Sequence, residues 1–387
     1  MAFDFDEPID RSNSDSIKWR QYGPDVLPMW VADMDFRAPE VAMRAMRERL
    51  EHGVFGYAHE PQSEILEGIT GYLSRHHGWK VDPSAIVLLP GTVPGFHMAC
   101  RAVTQPGDSL LTLVPVYPPI LQCAKNLGLG LDEGVLTPEA SGAYSLEGKA
   151  FQAAIHSRTR VLLMSNPHNP VGRVFRREEL ALMAEACLRH GLSIVSDEVH
   201  CDLVFRGHKH LPVALLSPEV EARTITLMAP SKSFNLAGLK TAFAVIPNAA
   251  LREKFLATSL GMMSAPNLLG CAAMNAVYRE GDPWLRSLLE YLEGNRDFLV
   301  DFVSRELPGV RITVPEGTYL AWLDCREAGI DGRPFTFFLK QARVALNPGE
   351  SFGRGGEGFV RLNFGCPRAL LREGLERMRR AFVERKG

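Results

Sequence analysis

Four polar clusters in this chain each follow directly on a short apolar run, and together they carry the residue types for imine chemistry. Ala229-Pro230-Ser231-Lys232-Ser233-Phe234-Asn235 follows Thr224–Met228. A lysine placed there is held near a crevice instead of in bulk water, and desolvation makes its ammonium a usable amine. Ser196-Asp197-Glu198-Val199-His200 follows Leu192–Val195. A carboxylate that ends a buried strand is costly unless a cation pairs with it, and a protonated ring nitrogen would serve. Asn166-Pro167-His168-Asn169-Pro170-Val171-Gly172 follows Val161–Met164. Its two Asn-Pro pairs keep the loop extended, because the residue before proline is pushed out of the helical region. The Asn169 amide could then bond a ring substituent. Gly91-Thr92-Val93-Pro94-Gly95 follows Ile86–Leu89. Glycines at a strand-to-helix turn let N–H groups approach a phosphate, whose charge the helix N-terminus favours.

Each cluster also has an ordinary reading. Lysines are mostly surface residues, an acid after a strand can cap a turn, and Asn-Pro or Gly-Thr segments are common turns. Their shared position weighs against coincidence. In an open parallel sheet the carboxyl ends of strands are where ligands bind.

Other motifs carry less. Gly353-Arg-Gly355-Gly-Glu-Gly358 has the spacing of a dinucleotide fingerprint, but it precedes the strand pattern Phe359-Val360-Arg361-Leu362 instead of following a strand and opening a helix. It reads as a loop. Seven cysteines are scattered with no Cys-x-x-Cys pair, the pattern of reduced thiols in a cytosolic chain. His200 and Cys201 are adjacent, a spacing unsuited to one zinc ion, so no metal is expected.

The elements that must position these clusters alternate. The runs Ile86–Leu89, Leu110–Val114, Val161–Met164, Leu192–Val195, Thr224–Met228 and Ala242–Ile246 read as buried strands, with helical patterns such as Arg177–His190 between several of them. That predicts an α/β fold with a mostly parallel sheet covered on both faces. After Pro283 the texture changes. A long helix over Trp284–Leu307, strands at Val310–Val314, Thr318–Leu323 and Phe359–Phe364, a helix near Phe335–Ala342 and a closing helix from Arg368 predict a smaller α+β unit. The expected division is residues 41–282 and 283–387, with residues 1–40 packing on the smaller unit.

Composition bounds the rest. With 387 residues, 46% apolar, the chain is long enough for two cores. Its 43 basic and 45 acidic residues leave a net charge of -2, which points to no nucleic-acid partner and no anionic membrane surface. The acidic N-terminus is unlike a secretory signal, and no apolar run approaches the ~20 residues of a membrane span. A cytoplasmic protein is expected.

Asn169-Pro170-Val171-Gly172, Ser196-Asp197-Glu198-Val199-His200 and Ser231-Lys232, in that order, resemble the fold-type I pyridoxal 5′-phosphate (PLP) enzymes of the class I/II aminotransferase group. The resemblance spans nearly the whole chain. Pro28-Met29-Trp30-Val31-Ala32-Asp33-Met34-Asp35-Phe36, Ser196–Leu203 and Val360-Arg361-Leu362-Asn363-Phe364-Gly365-Cys366-Pro367-Arg368 look like the cystathionine β-lyase and cystalysin branch. The resemblance implies roles by position. Lys232 would carry the cofactor and move the Cα proton. Asp197 would pair with the ring nitrogen, Asn169 and His200 would face the phenolic oxygen, and Tyr117 would stack on the ring. Gly91, Thr92, Val93, Ser231 and Lys240 would surround the phosphate, and Tyr57 would reach that of a neighbouring subunit, making a homodimer with shared sites. Arg361 would clamp the α-carboxylate of an amino-acid substrate, with Asn169 and Ala32 beside it.

Two positions depart from the wider group. Ala229 stands where relatives often have a phosphate-binding serine. His200 replaces the tyrosine of many aminotransferases, as it does in lyase-type relatives. The implied reaction is β-elimination from S-substituted L-cysteines to thiol, pyruvate and ammonia. The alternatives are an aminotransferase and a PLP-binding regulator. The regulator would be expected to add a helix-turn-helix, for which the stretch before Trp30 is too short.

Overall fold

A computed structural model describes residues 3–57, 63–139 and 142–384. Its larger sheet has eight strands, in the order Ile86–Leu89, Ala242–Val245, Thr224–Met228, Ser193–Asp197, Thr159–Ser165, Ser109–Val114, Gly130–Pro138 and Tyr144–Leu146. The run from Thr224–Met228 to Gly130–Pro138 is parallel throughout. Ala242–Val245 lies antiparallel to both neighbours, and Tyr144–Leu146 closes the far edge antiparallel.

Alternation along the strands explains why these segments read as continuous apolar runs. Leu110, Val161, Leu163, Val195 and Ile225 pack on one face against Phe96, Ala99, Ile120 and Phe255. Leu111, Leu113, Leu162, Met164 and Ile194 pack on the other against Phe151, Leu180, Met183 and Cys187. Successive side chains point to opposite faces, so a strand covered on both sides must be apolar at every position. Gly130–Pro138 and Tyr144–Leu146 were not anticipated. The first is half solvated along its length, and a strand next to the sheet edge that carries Asp132 and Glu133 presents no such run.

The second sheet is antiparallel, in the order Arg311–Thr313, Leu320–Asp324, Phe359–Asn363 and Asn347–Pro348. The helix Asp282–Glu306 leads into it, with Pro283 in its first turn where no donor is lost. Gly309 follows with φ +75, and a Cβ there would stand 2.2 Å from the Glu327 carbonyl oxygen, so only glycine fits this reversal. The helix expected near Phe335–Ala342 is a short α-turn, Pro334–Phe337, running into a π-turn, Phe338–Ala342. Gly353–Gly358 is a loop leading into a strand. The closing helix is Arg368–Glu384.

The N-terminal residues pair with and pack against later segments, adding a third, two-stranded sheet. Leu27–Pro28 pairs with Val344–Ala345, and Phe5 packs on Phe36 and Trp284. Lys18, almost wholly buried, is paired with Asp35 at 2.6 Å, and Arg11 reaches Asp33 and Asp35. Buried charges are stable only when paired in this way.

Candidate active site

A cleft of about 370 Å3 opens where the parallel strands end. Ser165 and Asp197 are the last residues of adjacent strands, while Pro90–Pro94 and Ala229 follow directly on two others. Strand ends therefore bring together clusters that lie far apart in sequence.

Lys232 stands on the single helical turn Pro230–Ser233 and donates from Nζ to the Ala32 carbonyl at 2.6 Å. Desolvation, assisted by the charge of Arg361, lowers its pKa to about 8. Across the cleft Asp197 is buried, and that burial raises its carboxyl to about 7 against a weak hydrogen bond from the Val199 N–H and the opposing charge of Lys232. His200 is buried too, which pushes its imidazole well below the ordinary range; its Nδ1 has no partner among the described residues.

Tyr117 precedes the helix Pro118–Asn126, and its N–H donates to the Asn169 carbonyl at 3.0 Å, which fixes one cleft wall on the other. Gly91 precedes the helix Thr92–Val103, whose first-turn N–H groups have no partner within the helix. Lys240, Ser231 and Ala229 line the same cleft. An anion there would meet both the helix terminus and an ammonium.

Two expected residues are not part of the cleft wall itself. Arg361, buried in the strand Phe359–Asn363, is held against Asn169, close enough for its charge to act on Lys232 and His200. It donates to Asn169 Oδ1 at 3.0 Å, Asn347 Oδ1 at 2.7 Å and the Trp30 carbonyl at 2.9 Å, over the Phe352 ring at 5.0 Å. Burial lowers its pKa to about 10, and its Nε is left without a partner among the described residues. Tyr57 is fully exposed in a separate groove with Phe55 and Pro266.

A recessed lysine, an end-of-strand carboxylate and a helix N-terminus in one cleft are accompanied by a match over residues 24–378 to the family model Aminotransferase class I and II. The chain belongs to that family. Among individual relatives, the cystathionine β-lyase PatB of Bacillus subtilis is 40% identical, over 97% of this chain and 99% of its own. The PLP-containing cystalysin of Treponema denticola superposes with a TM-score of 0.94 at 30% identity, over 99% of this chain and 100% of its own. The PLP-bound C–S lyase of Staphylococcus hominis gives 0.93 at 32% identity, over 99% of both chains.

In this class I/II family member, several site residues escaped the sequence. Tyr319 donates to the same Ala32 carbonyl as Lys232, at 2.8 Å. Asn363 Nδ2 donates to the Val31 and Asp33 carbonyls. Asn235 accepts from the Met34 N–H and donates to the Met34 and Phe36 carbonyls. All three act on main-chain atoms of residues 31–36, so no partner residue type marks them. Asn363 and Asn235 did fall inside the motif segments, which was the available signal.

Proposed function

We propose that this chain is a PLP-dependent carbon–sulfur β-lyase that cleaves S-substituted L-cysteines, L-cystathionine among them, to a thiol, pyruvate and ammonia. Lys232 carries the reading: an amine drawn down to about 8, in a cleft whose other walls hold a buried carboxylate and a helix N-terminus. Such a set suits PLP end to end. The Gly91–Val93 turn and Lys240 suit its phosphate, Lys232 its aldehyde, and Tyr117 its ring face. Asp197, a carboxylate that burial alone disfavours as an anion, suits a cationic ring nitrogen. Asn169 and the unpartnered His200 Nδ1 suit the phenolic edge.

When bound, PLP supplies an electron sink for the charge left at the substrate Cα. Arg361 would bind the α-carboxylate, its free Nε providing a donor in addition to those already engaged. That contact and the Asn169 amide orient Cα–H toward Lys232. Lys232, which would hold the cofactor at rest, would take the Cα proton at Nζ and keep it where the departing sulfur needs it. Asp197 holds a proton at the ring nitrogen through its negative charge. The released enamine hydrolyses in water to pyruvate and ammonia.

Likeness to PatB and cystalysin supports elimination over transamination, as does His200 within a lyase-like segment. A homodimer with shared sites fits the exposure of Val54, Phe55, Tyr57, Leu260 and Met262, apolar groups that a second copy would cover. A cytoplasmic location fits seven cysteines that are all buried; among the described residues no helix is long and apolar enough to cross a membrane.

The test is the fate of L-cystathionine. Elimination releases thiol, pyruvate and ammonia in equal amounts, and the cofactor's absorbance persists through turnover. Accumulation of the cofactor's amine form, with no thiol from cystathionine or other cysteine S-conjugates, would make the chain an aminotransferase instead.

A further inference from the structure

Outside the cleft, His77, Cys201 and Asp202 offer an imidazole nitrogen, a thiol sulfur and a carboxylate oxygen that all lie within 4.8 Å of one another. The sequence suggested only the neighbouring pair His200 and Cys201. His200 turns toward the cleft, and His77, at the end of the helix Ser63–His77, takes its place.

These groups are not ordinary surface polar residues. The side chains of His77 and Asp202 are 5% and 3% exposed, and His77 Nε2 stands 3.6 Å from Asp202 Oδ1. Neither atom has a hydrogen-bond partner among the described residues, nor does the adjoining buried Tyr72 hydroxyl. A gap of 3.6 Å is too long for a hydrogen bond, which needs about 2.7–3.2 Å. It suits two ligands of one ion: bonds of about 2.0–2.2 Å at a tetrahedral angle put their atoms about 3.4 Å apart. Asp202 is also oriented from behind, since Ser233 Oγ donates to its other oxygen, Oδ2, at 2.6 Å. That is the support a metal-binding carboxylate requires. A depression of about 310 Å3, lined by His76, His208, His210 and Asp282, gives the cluster a route to solvent.

We propose that His77, Cys201 and Asp202 form a binding site for one divalent cation of the zinc class, with solvent as its fourth ligand. Nitrogen, sulfur and oxygen donors together select a borderline ion over magnesium or calcium, which prefer all-oxygen sets. Binding releases the Cys201 proton, because the ligand is the thiolate. The site has a bearing on the cleft. Asp202 lies five residues after Asp197, and its Ser233 partner adjoins Lys232. An ion there clamps the segments carrying the carboxylate and the amine to the helix Ser63–His77.

Cobalt(II) is a suitable probe, because its visible bands report a tetrahedral site with a sulfur ligand. Untagged, PLP-loaded chain is stripped with chelator, given micromolar cobalt(II) and passed through gel filtration. One cobalt(II) per chain should be retained, be displaced by zinc(II) and resist an equal concentration of magnesium. His77→Gln and Cys201→Ser, each checked for cofactor absorbance, should each weaken retention at least tenfold. If one of them loses its cofactor, the other decides. No retention by the unaltered chain, retention that both substitutions leave unchanged, or displacement by magnesium would overturn the site and leave only a water-filled polar cluster.

Discussion

Lys232 and Ala32, separated by 200 positions, are joined by a 2.6 Å hydrogen bond from the lysine Nζ to the alanine carbonyl. A main-chain oxygen on the N-terminal segment thereby aims the amine across the cleft. Because Tyr319 donates to the same oxygen, the carbonyl is held from both sides.

The first prediction concerns that amine. Borohydride reduction of the PLP-loaded chain, followed by peptide mapping, should place the pyridoxyl label on Lys232. Label on any other lysine would remove the central assignment.

Its lowered pKa predicts a pH dependence. Only the neutral amine attacks an aldehyde, so the rate at which cofactor-free chain takes up PLP should rise with pH and level off above about 8, not near 10.5. Cofactor absorbance followed in time gives the profile. A rate still climbing steeply at pH 10 would mean that the amine is not desolvated.

Asp197 predicts the opposite slope in stability. Its folded pKa is raised to about 7 by burial, so its neutral form stabilises the cofactor-free chain below the ordinary carboxylate range. That contribution is lost as pH rises through about 7. Thermal melts should show the decline in the cofactor-free chain and not in Asp197→Asn. With PLP bound, Asp197→Ala should cut turnover by about a hundredfold to a few thousandfold, as loss of a partner to a buried charge costs about 3–5 kcal/mol.

Arg361→Lys keeps a charge but loses the planar fork that reaches Trp30, Asn169 and Asn347. A charged hydrogen bond is worth about 1.5–3 kcal/mol, so kcat/KM should fall by about ten- to a hundredfold, mostly through KM. A fall confined to kcat would place Arg361 outside carboxylate binding.

Shared sites predict complementation. Chains carrying Tyr57→Ala and Lys232→Ala, mixed under conditions where subunit exchange is confirmed by mass, should regain activity absent from either alone. One of the two sites in such a heterodimer is intact. Exchange without recovery would exclude a Tyr57 contribution across the interface.

The sequence exposed those parts of the molecule that repeat a local rule. The central strands could be read because two covered faces demand unbroken apolar runs, and the site clusters because each adjoins such a run. Gly130–Pro138 could not be read, since a half-solvated strand carrying Asp132 and Glu133 obeys no such rule. Ala242–Val245 was legible as a strand but its antiparallel direction was not, because strand direction leaves no trace in composition. Tyr319 stayed hidden because it meets a carbonyl 287 positions away, and every residue has a carbonyl. The bonds from Arg361 to Asn169 and Asn347 were equally invisible: an alternating strand fixes which face a side chain leaves from, not what it meets there.

The bonds from Asn363 to the Val31 and Asp33 carbonyls also impose an order on the molecule's birth. A chain is made from its N-terminus, so residues 31–33 leave the ribosome long before Asn363. The amide that seats them is added more than three hundred residues later. Lys232 exists well before then, but the segment whose carbonyl aims it gains its last anchors only as Tyr319 and then Asn363 emerge. A nascent chain stopped short of that residue would contain every proposed cofactor contact and still lack part of the seat for its amine, so full competence should arrive late.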